Sequence, residues 1–220
     1  MLLVTRPLKE SLEIAKKLKE SSIDYAFEPV LEILTFPNVL KDIRVQDYEA
    51  VIVTSKQALL EETACLKDLS LFVVGKSTAK KALNLNFKNI FEANGDVSSL
   101  IQNLKNSPYH KFLYLRGVDV TQDLKTVLTN KTITEKIIYE AKKSKELSAK
   151  TVELLKNHRV TAVTFYSKRT ASHFCALLKE HMTSLECEAL CLSESIKKSL
   201  EPGLFKKETI LDSSHWLLKL

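Results

Sequence analysis

The strongest restriction on the fold of this chain is a recurring pattern: a short apolar run, a turn, then a helix. Val51-Ile52-Val53-Thr54-Ser55 is a β-branched run of the length that fills a strand buried on both faces. Lys56 and Gln57 then open a helical segment that turns Ala58, Leu59 and Leu66 toward a core. Leu71-Phe72-Val73-Val74 is a second run, stopped at Gly75-Lys76-Ser77-Thr78-Ala79, where another helix opens. Small, hydroxylated and basic residues collect where each strand gives way to its helix. In a parallel α/β sheet those turns all fall on the carboxyl edge, where ligands bind.

The same grammar returns in the second half of the chain. Val160 to Ser167 reads as a strand, and Lys168-Arg169-Thr170 opens a helix carrying Ala171, Phe174, Leu177 and Leu178. Ala189 to Leu192 follows as a strand, then Ser193-Glu194-Ser195, then a helix at Lys197-Lys198. Ser55-Lys56 pairs with Ser167-Lys168, and Gly75-Lys76-Ser77 with Ser193-Glu194-Ser195. This echo points to two similar α/β domains rather than one large sheet.

The remaining segments fit around that frame. Leu2 to Thr5 is a first strand ended by Arg6-Pro7, and Leu8, Leu12, Ala15 and Leu18 form one face of the next helix. Tyr25 to Phe36 is extended, interrupted by Pro29 and closed by Pro37. Asn89 to Ala93 is a short strand, and Asp96 caps a helix with Val97, Leu100, Ile101 and Leu104 inward. Lys111 to Leu115 is a strand ended by Arg116-Gly117. Asp119 is placed to cap a helix facing Val120, Leu124, Val127 and Leu128 to the core. Glu135 to Glu140 is extended, Ser148 starts a helix through Val152 and Leu155, and Thr209 to Leu211 is a late strand. Trp216-Leu217-Leu218 is expected to dock a short terminal helix. With residues 1–34 and 142–220 as one domain and 35–141 inserted in it, Leu34–Phe36 and Ile137–Tyr139 are two crossings that lie side by side as a hinge. The ligand is then expected in the cleft between domains.

Bulk properties narrow the function. The 220 residues suffice for two small domains. No apolar run reaches the roughly 18 residues a membrane span needs, and the N-terminus reads as a strand rather than a secretory signal, so a cytoplasmic protein without a membrane partner is expected. Cys65, Cys175, Cys187 and Cys191 show no CxxC and no disulfide framework, and read as reduced core thiols, with Cys187 in a loop and Cys191 in a strand. The net charge of +6 admits nucleic acid, an acidic membrane or a polyanionic small molecule. On charge alone the plain reading is a solvated lysine-rich surface.

Basic residues recur at the strand ends: Arg6, Lys56, Lys76, Arg116, Lys168 and Arg169. With the hydroxyls of Ser55, Ser77, Thr78 and Ser167 and the amides of helix N-termini, these turns would make two facing anion-binding edges. The matching ligand carries several carboxylates or phosphates. Gly75-Lys76-Ser77-Thr78 is not a P-loop: the motif needs a glycine where Ser70 stands, and residues 71–74 are strand residues. No GxGxxG exists among four glycines, the five histidines lack metal-ligand spacing, and no GxSxG elbow is present. Tyr139 reads as a packing residue on an extended strand. Its place in the expected hinge, and a phenol that stays protonated at neutral pH, also suit it to donate a proton.

Taken together, the order and spacing of these segments resemble the uroporphyrinogen-III synthase family. The resemblance rests on LVTRP (Leu3 to Pro7), VIVTSKQAL (Val51 to Leu59), VVGKSTAKKAL (Val73 to Leu83), LYLRG (Leu113 to Gly117), IIYE (Ile137 to Glu140) and VTFYSKRTASHF (Val163 to Phe174). It implies two similar flavodoxin-like parallel-sheet α/β domains, the second inserted in the first and joined by a two-stranded linker. It also implies no cofactor, no metal, and closure of hydroxymethylbilane to uroporphyrinogen III with loss of water and inversion of ring D. The substrate would be a polycarboxylate tetrapyrrole and the protein a monomer. Tyr139 matches the family tyrosine proposed to donate a proton to the departing hydroxyl, Thr78 the threonine of VGxxT, and Ser55 and Ser167 cleft hydroxyls. Arg6, Lys56, Lys76, Ser77, Lys168 and Arg116-Gly117 complete the expected substrate contacts. Where relatives have a glycine followed by Thr-Thr-Ala, this chain has Ser193 and then Ser195-Ile196-Lys197, so Ser195 alone would keep a hydroxyl there.

Two other functions compete. One is a non-catalytic two-domain binding protein for an anionic metabolite. The other is a nucleic-acid-binding module, disfavoured because Phe72, Phe112 and Phe165 lie inside apolar strand runs and not among exposed cations.

Overall fold

Runs such as Ala50–Val53, buried at every position, form strands only where both faces of a sheet are covered. The computed structural model describes residues 1–93 and 96–212, apart from the side chain of Glu13. The expected terminal helix at Trp216-Leu217-Leu218 lies outside the described residues. In chain order come β1 (Leu2–Val4), α1 (Leu8–Glu20), β2 (Tyr25–Phe27), β3 (Leu31–Thr35), β4 (Ala50–Val53), β5 (Ser70–Val74) and α2 (Lys76–Asn84). They are followed by β6 (Ile90–Ala93), α3 (Val97–Asn106), β7 (Lys111–Gly117), α4 (Leu124–Val127), β8 (Thr132–Lys143) and α5 (Ala149–Lys156). The chain continues with β9 (Ala162–Phe165), α6 (Lys168–Leu178), β10 (Leu185–Cys191), α7 (Glu194–Lys197) and β11 (Phe205–Ile210).

The chain divides into two units, Met1–Glu32 with Lys142–Leu220, and Ile33–Ala141. The first holds a five-stranded sheet ordered β2-β1-β9-β10-β11, parallel throughout. This is the flavodoxin-type order. One face packs on α5, α6 and α7 through Leu155, Phe174, Leu178 and Ile196, and the other on α1 through Ile14 and Leu18. The second unit holds a six-stranded sheet ordered β3-β8-β7-β4-β5-β6, with α2 on one face and α3 and α4 on the other. At its β3 edge the two crossings pair: the Phe36 amide donates to the Ile138 carbonyl, 2.8 Å away. The Ser144 amide donates to Val30. Numbering therefore rises along one crossing as it falls along the other.

The two sheets share one layout. With Ser167 placed on Ser55, Thr164 falls on Ile52. Thr164 pairs with Val4 and Ile52 with Tyr114, so Arg6 falls on Arg116. In the same frame Ala162 falls on Ala50, and their partners Glu188 and Ser70 coincide, which puts Ser193 on Gly75 and Glu194 on Lys76. Only the chain order differs. β1 and β2 precede β9 in the first unit, whereas β7 and β8 follow β4 to β6 in the second.

Five local expectations are corrected. Cys65 is not a core thiol but exposed, because the 3₁₀ turn it lies on, Glu61–Leu66, turns Thr63 and Leu66 inward instead. Residues 56–66 form 3₁₀ turns, Lys56–Ala58 and Glu61–Leu66, separated by extended Leu60. Three adjacent apolar residues, 58–60, cannot all face one side of an α-helix; the break lets Ala58, Leu59 and Leu66 all reach the core. On α1 the inward residues are Ser11, Ile14 and Leu18, while Leu8 and Leu12 stand 55% and 58% exposed. Ser11 faces inward because its hydroxyl donates to the Arg6 carbonyl at 2.9 Å. Asp119 does not start a helix: the Val118 amide donates to Tyr139 and prolongs the β7–β8 ladder. Asp123 caps α4 instead, accepting from the Lys125 amide at 2.9 Å. Cys187 and Cys191 both lie on β10, which starts earlier than the sequence pattern shows.

Candidate functional site

The carboxyl edge of the second sheet brings the ends of the adjacent strands β7, β4 and β5 together. β5 is followed by Gly75, whose φ of 78° is a left-handed conformation a side chain would strain. As N-cap of α2, Gly75 offers no side chain to the helix amides. Its carbonyl takes the amides of Thr78 and Ala79. Among the described residues, the Lys76 and Ser77 amides have no acceptor, and the Lys76 ammonium no ion-pair partner. Lys76 and Ser77 are exposed, and Thr78 is buried. Such a helix start, positive by its dipole and by its lysine, attracts an anion. Beside it, Ser55 accepts from the Gln57 amide at 3.3 Å. The Lys56 carbonyl receives the ammonium of Lys81 at 3.0 Å. Lys81 thus joins this edge, which no strand-end pattern could signal because it lies inside α2.

Next to these turns, β7 and β8 present Tyr139. The two strands run in regular register through Arg116 and Ile137, then shift so that Gly117 faces Tyr139. This is a β-bulge with one extra residue on β8. Alternation is interrupted, and Ile138 and Tyr139, though consecutive, pack into the same core. Gly117 is buried beneath the tyrosine ring: a Cβ there would lie 2.6 Å from the Tyr139 Cζ. Among the described residues, none hydrogen-bonds the Tyr139 hydroxyl. Arg116 is turned to the other face, where Nε donates to Glu135 at 3.2 Å. Its Nη1 donates to the carbonyls of Gly117 and Val118 at 2.9 and 3.0 Å. Nearby, the buried Tyr114 hydroxyl is 3.1 Å from the Thr54 hydroxyl, and desolvation raises its pKa.

The first sheet's edge is built differently. Arg6 is 7% exposed, donates from Nε to Glu10 at 2.9 Å, and stacks over the Tyr166 ring at 4.3 Å. Among the described residues, the Arg6 Nη1 and the Tyr166 hydroxyl have no hydrogen-bond partner. Burial pushes the Tyr166 phenol up to about 12. Ser167 caps α6, accepting from the Thr170 amide at 3.1 Å, so its hydroxyl is engaged. Lys168 is exposed, with no ion-pair partner among the described residues, and Arg169 is half-buried. Ser195 is exposed on the four-residue α7, its hydroxyl 3.1 Å from that of Ser193.

Within the second unit, therefore, Ser55, Lys56, Lys76, Ser77 and Thr78 share one edge with Tyr139 and Gly117. Within the first, Arg6, Ser167 and Lys168 lie at neighbouring strand ends, with Ser195 at the end of β10. Arg6 and Arg116 are both occupied by carboxylates of their own unit. Among the described residues no group of three or more His, Cys, Asp or Glu is placed to hold a metal ion, and no helix is long and apolar enough to cross a membrane.

These features define a class: a two-unit, mostly parallel α/β protein with basic strand ends and one phenol held at a sheet edge. The model of the uroporphyrinogen-III synthase HemD family matches residues 13–210, and the chain belongs to that family. Its function is cyclisation of hydroxymethylbilane to uroporphyrinogen III, with loss of water and inversion of ring D, in tetrapyrrole biosynthesis. A crystal structure of a mutant uroporphyrinogen III synthase from the extremely thermophilic bacterium Thermus thermophilus is similar, with a TM-score of 0.62 at 11% identity over 99% of this chain and 95% of that one. The wild-type protein in another crystal form gives a TM-score of 0.50 at 14% identity, over 98% and 92%. At these identities the likeness shows the fold. No curated protein matches the chain by sequence.

Proposed function

We propose that Tyr139 is the proton donor of this cyclisation and that the basic strand ends hold the acidic arms of the bilane. What supports the reading is the Tyr139 phenol, free of protein hydrogen bonds among the described residues and held over Gly117 at the sheet edge. Transfer of its proton to the hydroxyl of the ring A hydroxymethyl group breaks the C–O bond. Water leaves, and an azafulvenium cation and a tyrosinate remain. The substituted carbon of ring D attacks that cation to form a spiro intermediate. Reopening and reclosure join the ring in flipped orientation, and the final deprotonation returns a proton to the phenol. Free in water, the bilane closes head to tail without the flip. The protein's task is thus orientation of a polyanion and electrostatic support of charge as it develops.

In this reading Lys76, Ser77 and the open amides of α2 take one carboxylate, with Lys56, Ser55 and Thr78 around it. Lys168, Ser167 and Ser195 serve the other edge, and Arg6 and Arg116 act by shaping the strand ends they brace. Nothing in the described structure favours a non-catalytic binding protein. Purified protein given hydroxymethylbilane is expected to yield the type III isomer; type I at the uncatalysed rate overturns the assignment. The working form is proposed to be a cytoplasmic monomer, which sedimentation of the purified protein and fractionation of its host cells would check.

A further inference from the structure

We infer that Gly117 is a positioning residue for Tyr139, selected for the side chain it lacks. This rests on the reading of Tyr139 as proton donor. Among the described glycines, Gly75 and Gly203 have a left-handed φ and Gly117 does not. The backbone of position 117 therefore accepts any L-residue, and the need for glycine is one of space. A Cβ there would stand 2.6 Å from Cζ, 2.9 Å from Cε2 and 2.9 Å from the hydroxyl oxygen of Tyr139. All three atoms belong to the reacting end of the phenol, and none belongs to backbone.

The ring cannot be accommodated by moving the strands. The Val118 amide holds the Tyr139 carbonyl at 3.0 Å, and Arg116 Nη1 clamps the carbonyls of Gly117 and Val118 while Nε is anchored on Glu135. The bulge fixes which β8 residue lies over Gly117. The missing methyl is thus a slot, and the clamped backbone sets its walls. A Cβ at 117 pushes the phenol from separations below 3.0 Å toward ordinary contact and so displaces its hydroxyl. The fold survives, because what yields is the free end of one side chain. The first unit has no counterpart: the position equivalent to Gly117 is Pro7.

The test is Gly117→Ala, alone and with Tyr139→Phe, followed by type III formation and by the ring resonances of carbon-13-labelled tyrosine. The alanine variant is expected to lose about 10- to 100-fold in kcat with little change in KM, as a misplaced reacting group does. It is expected to shift the Tyr139 resonance while leaving Tyr114 in place, and to cost nothing further once Tyr139→Phe has removed the hydroxyl. Losses that multiply in the double variant, or an unmoved Tyr139 resonance, overturn the inference. If Tyr139→Phe is itself fully active, the proton-donor reading falls and the resonance alone decides the role of Gly117. Should Gly117→Ala fail to fold, Tyr139→Ala is combined with it. Recovered folding shows that the ring was what the methyl struck; continued failure overturns the slot.

Discussion

Arg6 and Arg116 stand at the same register position of two sheets and are used the same way, each bound to a carboxylate of its own unit. One strand further along the equivalence ends. Where the second unit has Gly75-Lys76-Ser77 opening the nine-residue α2, the first has Ser193-Glu194-Ser195 opening the four-residue α7. Lysine faces glutamate at matched positions, and the glycine with the left-handed φ has become a serine. On the other side of the central strand, Gly117 and Tyr139 have no partner in the first unit. The layout was kept because five parallel strands and their covering helices form one packed core, which resists change. The edge residues carry little of that core, so they diverged. The proposed chemistry is concentrated in the second unit, and the first is left with the exposed Lys168, the capping Ser167 and a buried arginine.

This contrast predicts unequal responses to matched changes. The largest falls on the phenol: Tyr139→Phe is expected to lower turnover about 100-fold or more, the range of general acid catalysis, while product binding holds in a direct titration. Unchanged turnover would take the acid role from Tyr139 and remove the chief chemical difference between the units. A smaller effect is expected from exchanging charge at the equivalent positions. Lys76→Glu should raise KM about 3- to 10-fold and Glu194→Lys should lower it by less, both shrinking as salt is added. Equal and opposite changes would mean that both edges grip the substrate alike.

The smallest effect concerns stability in base. Burial pushes the Cys187 and Cys191 thiols up to about 11 and about 12, and Tyr166 to about 12, all in the first unit. A folded-state pKa above the unfolded one means that folding favours the protonated form. That contribution is complete below the ordinary thiol value near 9 and fades as pH rises toward 11 to 12. Urea midpoints should therefore fall between pH 8 and pH 10.5, and the loss should appear in first-unit amide exchange before that of the second. A uniform loss across both units would contradict the assignment of the strain to these groups. At neutral pH a thiol reagent should label the exposed Cys65 and spare the buried Cys175, Cys187 and Cys191.

Much of the fold was legible because the signals are local. β4, β5 and β7 announce themselves as unbroken apolar runs, Asp96 and Ser148 as caps, and the first crossing as an extended stretch between Pro29 and Pro37. The mistakes share a cause. Leu8 and Leu12 match a helical period as well as Ile14 does, and only the placement of Ser11 against the Arg6 carbonyl decides which stripe turns inward. Asp119 is as good a cap residue as Asp123, and only the ladder bond from Val118 to Tyr139 excludes it. The occupation of Arg6 by Glu10 is four residues away and could have been read; that of Arg116 by Glu135 needed the strand pairing.

By itself the sequence determined the class of fold, the duplication, the basic strand ends and the family, since each is written in runs and spacings along one segment. Tertiary structure alone decided the permuted equivalence of the two sheets, the slot that Gly117 leaves for Tyr139, and which cations remain unpaired. Those depend on the register between strands far apart in the chain. A shift of one residue there turns a side chain to the opposite face, and nothing local records it.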